Sequence, residues 1–179
     1  MGETPQELTW ELAAESALFR IFSRGVLEQP GEDPEPSDPI LELRSNLDYL
    51  VHNYLESSSA AGGPDSQIFV QFWELLGFRA AKELHRLGEI PDSTELAAKK
   101  VGVLLASKQR DYGHQNIARF GRTGLMIRMH DKIARLENLQ QKTGLRPANE
   151  SVTDNLLDVI GYSAIGLMWE NGTFMLELK

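Results

Sequence analysis

The sequence predicts an all-α protein, a helical bundle of about five to six helices. Three observations carry that expectation. Apolar residues recur at helical spacing through most of the chain, prolines and glycines collect between those stretches, and no alternating run has an evident strand partner. At 179 residues there is room for one domain with a real core and a helical extension, but hardly for two full domains.

Taken in order, residues 4 to 27 place Leu8, Leu12, Leu18, Phe19, Phe22 and Val26 at helical spacing, until QPGEDPEPSDP stops the helix with four prolines and a glycine. Ile40 to Glu56 resumes the pattern, and SSSAAGGPD ends it with the composition of a flexible connector. A third helix, from about Gln67 to Leu87, is apolar nearly all the way round and is expected to be central. Asp92-Ser93-Thr94-Glu95 has the form of a capping box and starts a helix that fades near Gly113. HQNIARFGRTG reads as a loop, after which Leu125 to Gln141 and Asn149 to Glu170 are two more helices. Residues 1–92 are thus an N-terminal helical extension with linkers at 28–39 and 57–66, residues 93–171 a C-terminal helical domain, and residues 172–179 a tail.

Composition narrows the function. The N-terminus lacks a basic flank before an apolar run, there is no cysteine for disulfide or thiolate chemistry, and no apolar stretch is long enough to span a bilayer. A soluble, cytoplasmic setting is expected. The net charge of -8 conceals an island: Lys99 to Arg146 holds eleven bases against three acids, and the rest of the chain seven bases against 23 acids. A basic island in an acidic protein suits an anionic ligand of limited size. The acidic remainder would repel extended DNA, so direct nucleic-acid binding is disfavoured.

Glu150, Asp154 and Asp158 fall within an arc of about 80° on one helix, opposite its apolar side. Like charges at that spacing repel, and a divalent cation would offset the repulsion; Mg²⁺ takes such carboxylates together with substrate phosphates. A structural account competes. Ser151 and Asp154 can form a capping box that explains the first two acids, though not Asp158. The preceding helix carries Arg128, Asp131, Lys132 and Arg135 beside its apolar stripe, and the short connection KTGLRPAN makes the two helices antiparallel neighbours. Those bases can pair with the acids, but Lys108, Arg110, Arg119 and Arg122 add a surplus that suggests phosphate. Gly121 and Gly124, flanking Arg122 and Thr123, form a candidate phosphate-contacting loop without a P-loop ending. The stretch KQRDYGHQN is a helix end: Lys108 and Arg110 complement the dipole and Gly113 supplies the stop. It doubles as a pocket wall through Lys108, Asp111, Tyr112 and Asn116, with His114 either a solvated loop histidine, the commoner case, or a proton relay or base contact.

Three motifs occur in order: DYG at 111–113, R-x-x-D-K-x-x-R-L from Arg128 to Leu136 with Asn138 and Leu139 following, and E-S-x-x-D-x-x-x-D-x-x-x-Y from Glu150 to Tyr162. Over about residues 95–170 the chain resembles the nucleotide-modification-associated domain family of phages and bacteria, itself similar to the all-α MazG-like nucleoside triphosphate pyrophosphohydrolases. The resemblance implies a Mg²⁺-dependent site that converts a triphosphate to a monophosphate and pyrophosphate. Glu150, Asp154 and Asp158 would be metal ligands with Asp131 a fourth, and Asp154 and Asp158 would carry the catalysis. Lys108, Arg128, Lys132 and Arg135 would hold phosphates, with Arg110, Asp111, Tyr112, His114, Asn116 and Tyr162 around the substrate. No E-x-x-E pair occurs on the helix before the acidic ladder, where MazG-like enzymes supply half of their metal ligands. The expected partners are a nucleotide and further copies of the chain. The competing expectation is a noncatalytic helical adaptor whose acidic ladder is structural.

Overall fold

The computed structural model describes residues 7–26, 38–58, 66–141 and 151–179. Among these residues lie seven helices and no strand: α1 Trp10–Val26, α2 Pro39–Ser58, α3 Ser66–Arg86, α4 Thr94–Tyr112, α5 Gln115–Ala118, α6 Gly121–Gln141 and α7 Val152–Glu170. The all-α expectation holds. Most of both expected linkers, and Glu150, fall outside the described residues. No described helix is long and apolar enough to cross a membrane.

The expected central helix, α3, packs along α7. Small residues let the two backbones approach. A Cβ at Gly166 would lie 2.5 Å from the indole of Trp73, and one at Gly77 would lie 3.0 Å from the Cβ of Ser163 and 2.8 Å from Ile21. Trp73 is fully buried in that notch. An indole so enclosed typically contributes about 3–5 kcal/mol relative to alanine. Around this pair, α1 packs against α3, α4 and α7, while α2 and α6 close the other side. The core is one cluster drawn from both halves of the chain, with Trp10, Phe22, Leu47 and Trp73 beside Leu125, Met129, Leu156 and Ile160.

Helix ends follow local chemistry. Ser93 caps α4, its hydroxyl accepting from the Leu96 N–H at 3.4 Å, and Gly113 ends the helix with φ of +68° and its N–H donating to the Gln109 carbonyl. At the start of α7 the Ser151 hydroxyl accepts from the Asp154 N–H at 3.1 Å, and the Asp154 carboxylate accepts from the Ser151 N–H at 2.9 Å. That capping box was legible in the sequence.

The segment His114–Gly124 departs from the expected loop. It holds the single turn α5 and the first residues of α6, which begins at Gly121, ahead of the expected Leu125. Gly121 turns the chain with φ of +52°, and a Cβ there would lie 3.0 Å from the Trp169 ring. The Arg122 guanidinium makes two bonds to the Glu170 carboxylate, at 2.7 and 2.5 Å, and lies over the Phe69 ring. Long-range contacts thus hold a polar, glycine-bearing stretch in helix. This corrects the candidate phosphate loop: Gly124 is within α6, and Arg122 is committed to Glu170.

Candidate nucleotide-binding cleft

Asp158 stands at the middle of α7, where α4 and α6 both reach it. The Lys108 ammonium on α4 donates to one carboxylate oxygen at 2.5 Å, and the Lys132 ammonium on α6 pairs with the other at 2.9 Å. A cleft of about 560 Å³ opens over this bridge, framed by α4, α5, α6 and α7. Its size lies within the range of small-molecule sites. Gly161 lies on its wall where α4 comes near α7, and a Cβ there would come within 3.2 Å of Leu105.

One part of the wall is charged. Lys108, Arg128 and Lys132 are balanced against Asp131 and Asp158, which leaves one net positive charge. The Arg128 guanidinium donates to the Asn116 side-chain oxygen at 2.5 Å, a bond that fixes its direction without neutralising it. The rest of the wall is mostly apolar or aromatic, with Val101, Leu104, Leu105, Ile117, Leu157 and Ile165 beside Tyr112 and Tyr162, and it also includes Gln109 and Asn116. Cations and apolar side chains lining one cleft suit a ligand with an anionic group and a flat ring system.

The cleft gathers Lys108, Tyr112, Asn116, Arg128, Asp131, Lys132, Asp158 and Tyr162, all expected from sequence. Others lie off it. Arg110 turns to the N-terminal side, bonding the Glu11 carboxylate at 2.8 Å and the Lys179 carbonyl at 2.6 Å. His114 packs edge-on to Phe174. Asp111 and Arg135 are not on the wall, and Arg119 lies over its neighbour Phe120. Of the four cations read as a surplus, only Lys108 reaches the cleft. Gln109, which the sequence reading passed over, lines it.

The acidic ladder divides. Asp154 is exposed and engaged in the capping box, where the Ser151 N–H and hydroxyl hold its carboxyl below the usual range, with lesser help from Lys108 and Lys132. Asp158 has both oxygens on ammonium groups, and Glu150 lies outside the described residues. No group of three or more acidic or histidine side chains able to hold a metal ion occurs among the described residues. The donor set on this wall therefore fits a phosphate better than Mg²⁺, which would have to displace an ammonium from Asp158.

No curated protein and no solved structure matches the chain. A family model described as nucleotide modification associated domain 1 matches residues 108–169, a stretch that opens at Lys108 and runs through α5, α6 and nearly all of α7, so that this part of the chain is similar to that family.

Proposed function

We infer that the cleft binds a nucleotide, with its phosphates on Lys108, Arg128 and Lys132 and its base against the apolar and aromatic wall. The observation that carries the reading is the convergence of three cations from α4 and α6 beside an apolar wall, within a segment that matches a nucleotide-modification-associated family. Lys108 and Lys132 are held by Asp158 in advance of any ligand, which lowers the ordering cost of binding.

Hydrolysis to a monophosphate and pyrophosphate is the finer form of this reading. Mg²⁺, when bound, would supply an activated water and neutralise the leaving group. Asp131 and Asp158 are the described carboxylates on the cleft wall, Asp158 only by giving up an ammonium, with Glu150 and Asp154 the further ligands implied by the MazG-like resemblance. The adaptor reading draws its support from Asp154, whose carboxylate serves the start of its own helix.

Equilibrium titration with ribo- and deoxyribonucleoside triphosphates, with and without Mg²⁺, tests the proposal. Lys132→Ala is expected to weaken binding about tenfold, the scale of one charge-assisted bond to phosphate. Product analysis for pyrophosphate in the same samples tests hydrolysis. No nucleotide binding at millimolar concentration in either condition would sink the nucleotide reading and leave the adaptor.

A further inference from the structure

Gln109 is a polar residue in an apolar register. On α4 it continues the stripe Val101, Leu105, and it is only 5 % exposed while lining the cleft. Its side-chain Nε2 is buried with no hydrogen-bond partner. A buried donor left without an acceptor costs about 1–3 kcal/mol, and a methionine or leucine in the same stripe would avoid that cost. The helix end does not require the side chain, because the contact that stops α4 is made by the Gln109 main-chain carbonyl, which accepts from Gly113 at 2.8 Å. Any residue would supply that carbonyl.

The geometry points to Gln109 as the residue that selects the base of the bound nucleotide, its carboxamide turning from its covered position to donate to a ring nitrogen or carbonyl oxygen of the nucleobase. This rests on the nucleotide reading above. Lys108, the adjacent residue, faces Asp158 and the anionic end of the site. Gln109, about 100° further round the helix, belongs to the buried side with Leu105. A neutral amide in an apolar wall is a poor partner for a phosphate, which the three cations attract, and a good one for the neutral polar edge of a base. Glutamine amides read base edges in this way, and with water excluded the discrimination per contact is large.

The test is equilibrium binding of the four ribonucleoside triphosphates, their deoxy counterparts and inorganic tripolyphosphate to the wild-type chain and to Gln109→Met and Gln109→Leu. Thermal melts check that each variant is folded. Gln109→Asn, which keeps the amide on a shorter arm, serves if the apolar variants do not fold. The wild type is expected to rank the bases over a range of about tenfold or more, the scale of one buried hydrogen bond. Each variant should compress that ranking to within a few-fold while leaving tripolyphosphate affinity unchanged. A ranking that survives substitution, with nucleotide and tripolyphosphate binding intact, overturns the role of Gln109 and leaves the nucleotide reading standing. A loss confined to the choice between ribose and deoxyribose also overturns it, in favour of a sugar contact. Failure of the wild type to bind either nucleotides or tripolyphosphate overturns both.

Discussion

Replacing Asp158 by asparagine separates a phosphate-binding cleft from a metal-binding one, because the two predict opposite changes in affinity. The wild-type carboxylate accepts from Lys108 at 2.5 Å and Lys132 at 2.9 Å, and its side chain is 15 % exposed. Asparagine keeps one acceptor and turns an N–H toward the other ammonium. The Lys132 side chain is 19 % exposed, so losing its charged partner should cost near the lower end of the 1.5–3 kcal/mol typical of hydrogen bonds to charged groups. Lys108, at 43 % exposed, is screened by water and adds a few tenths of a kcal/mol. The sum is about 2 kcal/mol, and with about 2–4 °C per kcal/mol for a chain of this length the midpoint should fall by about 4–8 °C. Meanwhile the cleft gains one net positive charge. A unit charge about 6 Å from a phosphate at an effective dielectric near 60 contributes about 1 kcal/mol, so tripolyphosphate should bind about fivefold more tightly at low salt. Thermal melts and salt-dependent titration read both quantities. Weaker anion binding at unchanged stability would refute the reasoning, since Asp158 would then contact the ligand itself or through a divalent ion.

Three further outcomes follow from the structure. Gly166→Ala should destabilise the protein by about 3 kcal/mol or more, because the new methyl falls 2.5 Å from the fully buried Trp73 ring; urea melts showing less than about 1 kcal/mol would mean that α3 and α7 slide apart without penalty. Arg122→Ala strands the Glu170 carboxylate, whose side chain is 1 % exposed, at a cost of about 3–5 kcal/mol, and adding Glu170→Gln should recover much of the loss in a double-mutant cycle. The Asp154 carboxyl is held below its ordinary range in the folded state, so its contribution is fully present above the unfolded value and disappears as pH falls through the folded one. The stability gap between wild type and Asp154→Asn, about 1 kcal/mol near neutrality as for other caps, should narrow in acid melts as pH falls below the ordinary carboxyl range.

Elements that depend on local rules were the ones the sequence revealed. The cap at Ser151, the stop at Gly113 and the antiparallel approach of α6 to α7 all follow from residues close together in the chain, while α4 starts where expected but is capped by Ser93 in place of the expected box from Asp92 to Glu95. The pairing of Lys132 with Asp158 followed from helical spacing plus a short connection. What escaped were the long-range commitments. Arg110 is claimed by Glu11 and by the carbonyl of Lys179, and Arg122 by Glu170; nothing near either arginine in sequence announces that partner. Composition also misled at His114–Gly124, where packing of Gly121 against Trp169 supports helix through glycines that locally favour a loop. Gln109 carries a signal, a polar residue four positions after Leu105 in an apolar stripe, but it lies inside a helix end dominated by charged neighbours.

The first 92 residues acquire a role from how the cleft is held. The wall that carries Lys108 and Gln109 is α4, and α4 makes few contacts with α7 compared with those it makes with α1. Its position over Asp158 is therefore set from the N-terminal side, through α1 packing and through Arg110, which ties the end of α4 to Glu11. The opposite wall is held differently: α6 packs mainly along α7 and is braced from α2, where Arg44 makes a two-point bond to Glu137, at 2.8 and 2.7 Å. The first half thus positions the α4 side and braces the α6 side of the two lysines that meet at Asp158. A polyphosphate inserted there must loosen two ammonium contacts to a carboxylate while gaining contacts of the same kind to its own oxygens. On the proposed reading, the lysines still attract the phosphates after that exchange, and further affinity comes from groups that Asp158 does not occupy, Arg128 on the charged side and, for a nucleobase, Gln109 on the apolar side.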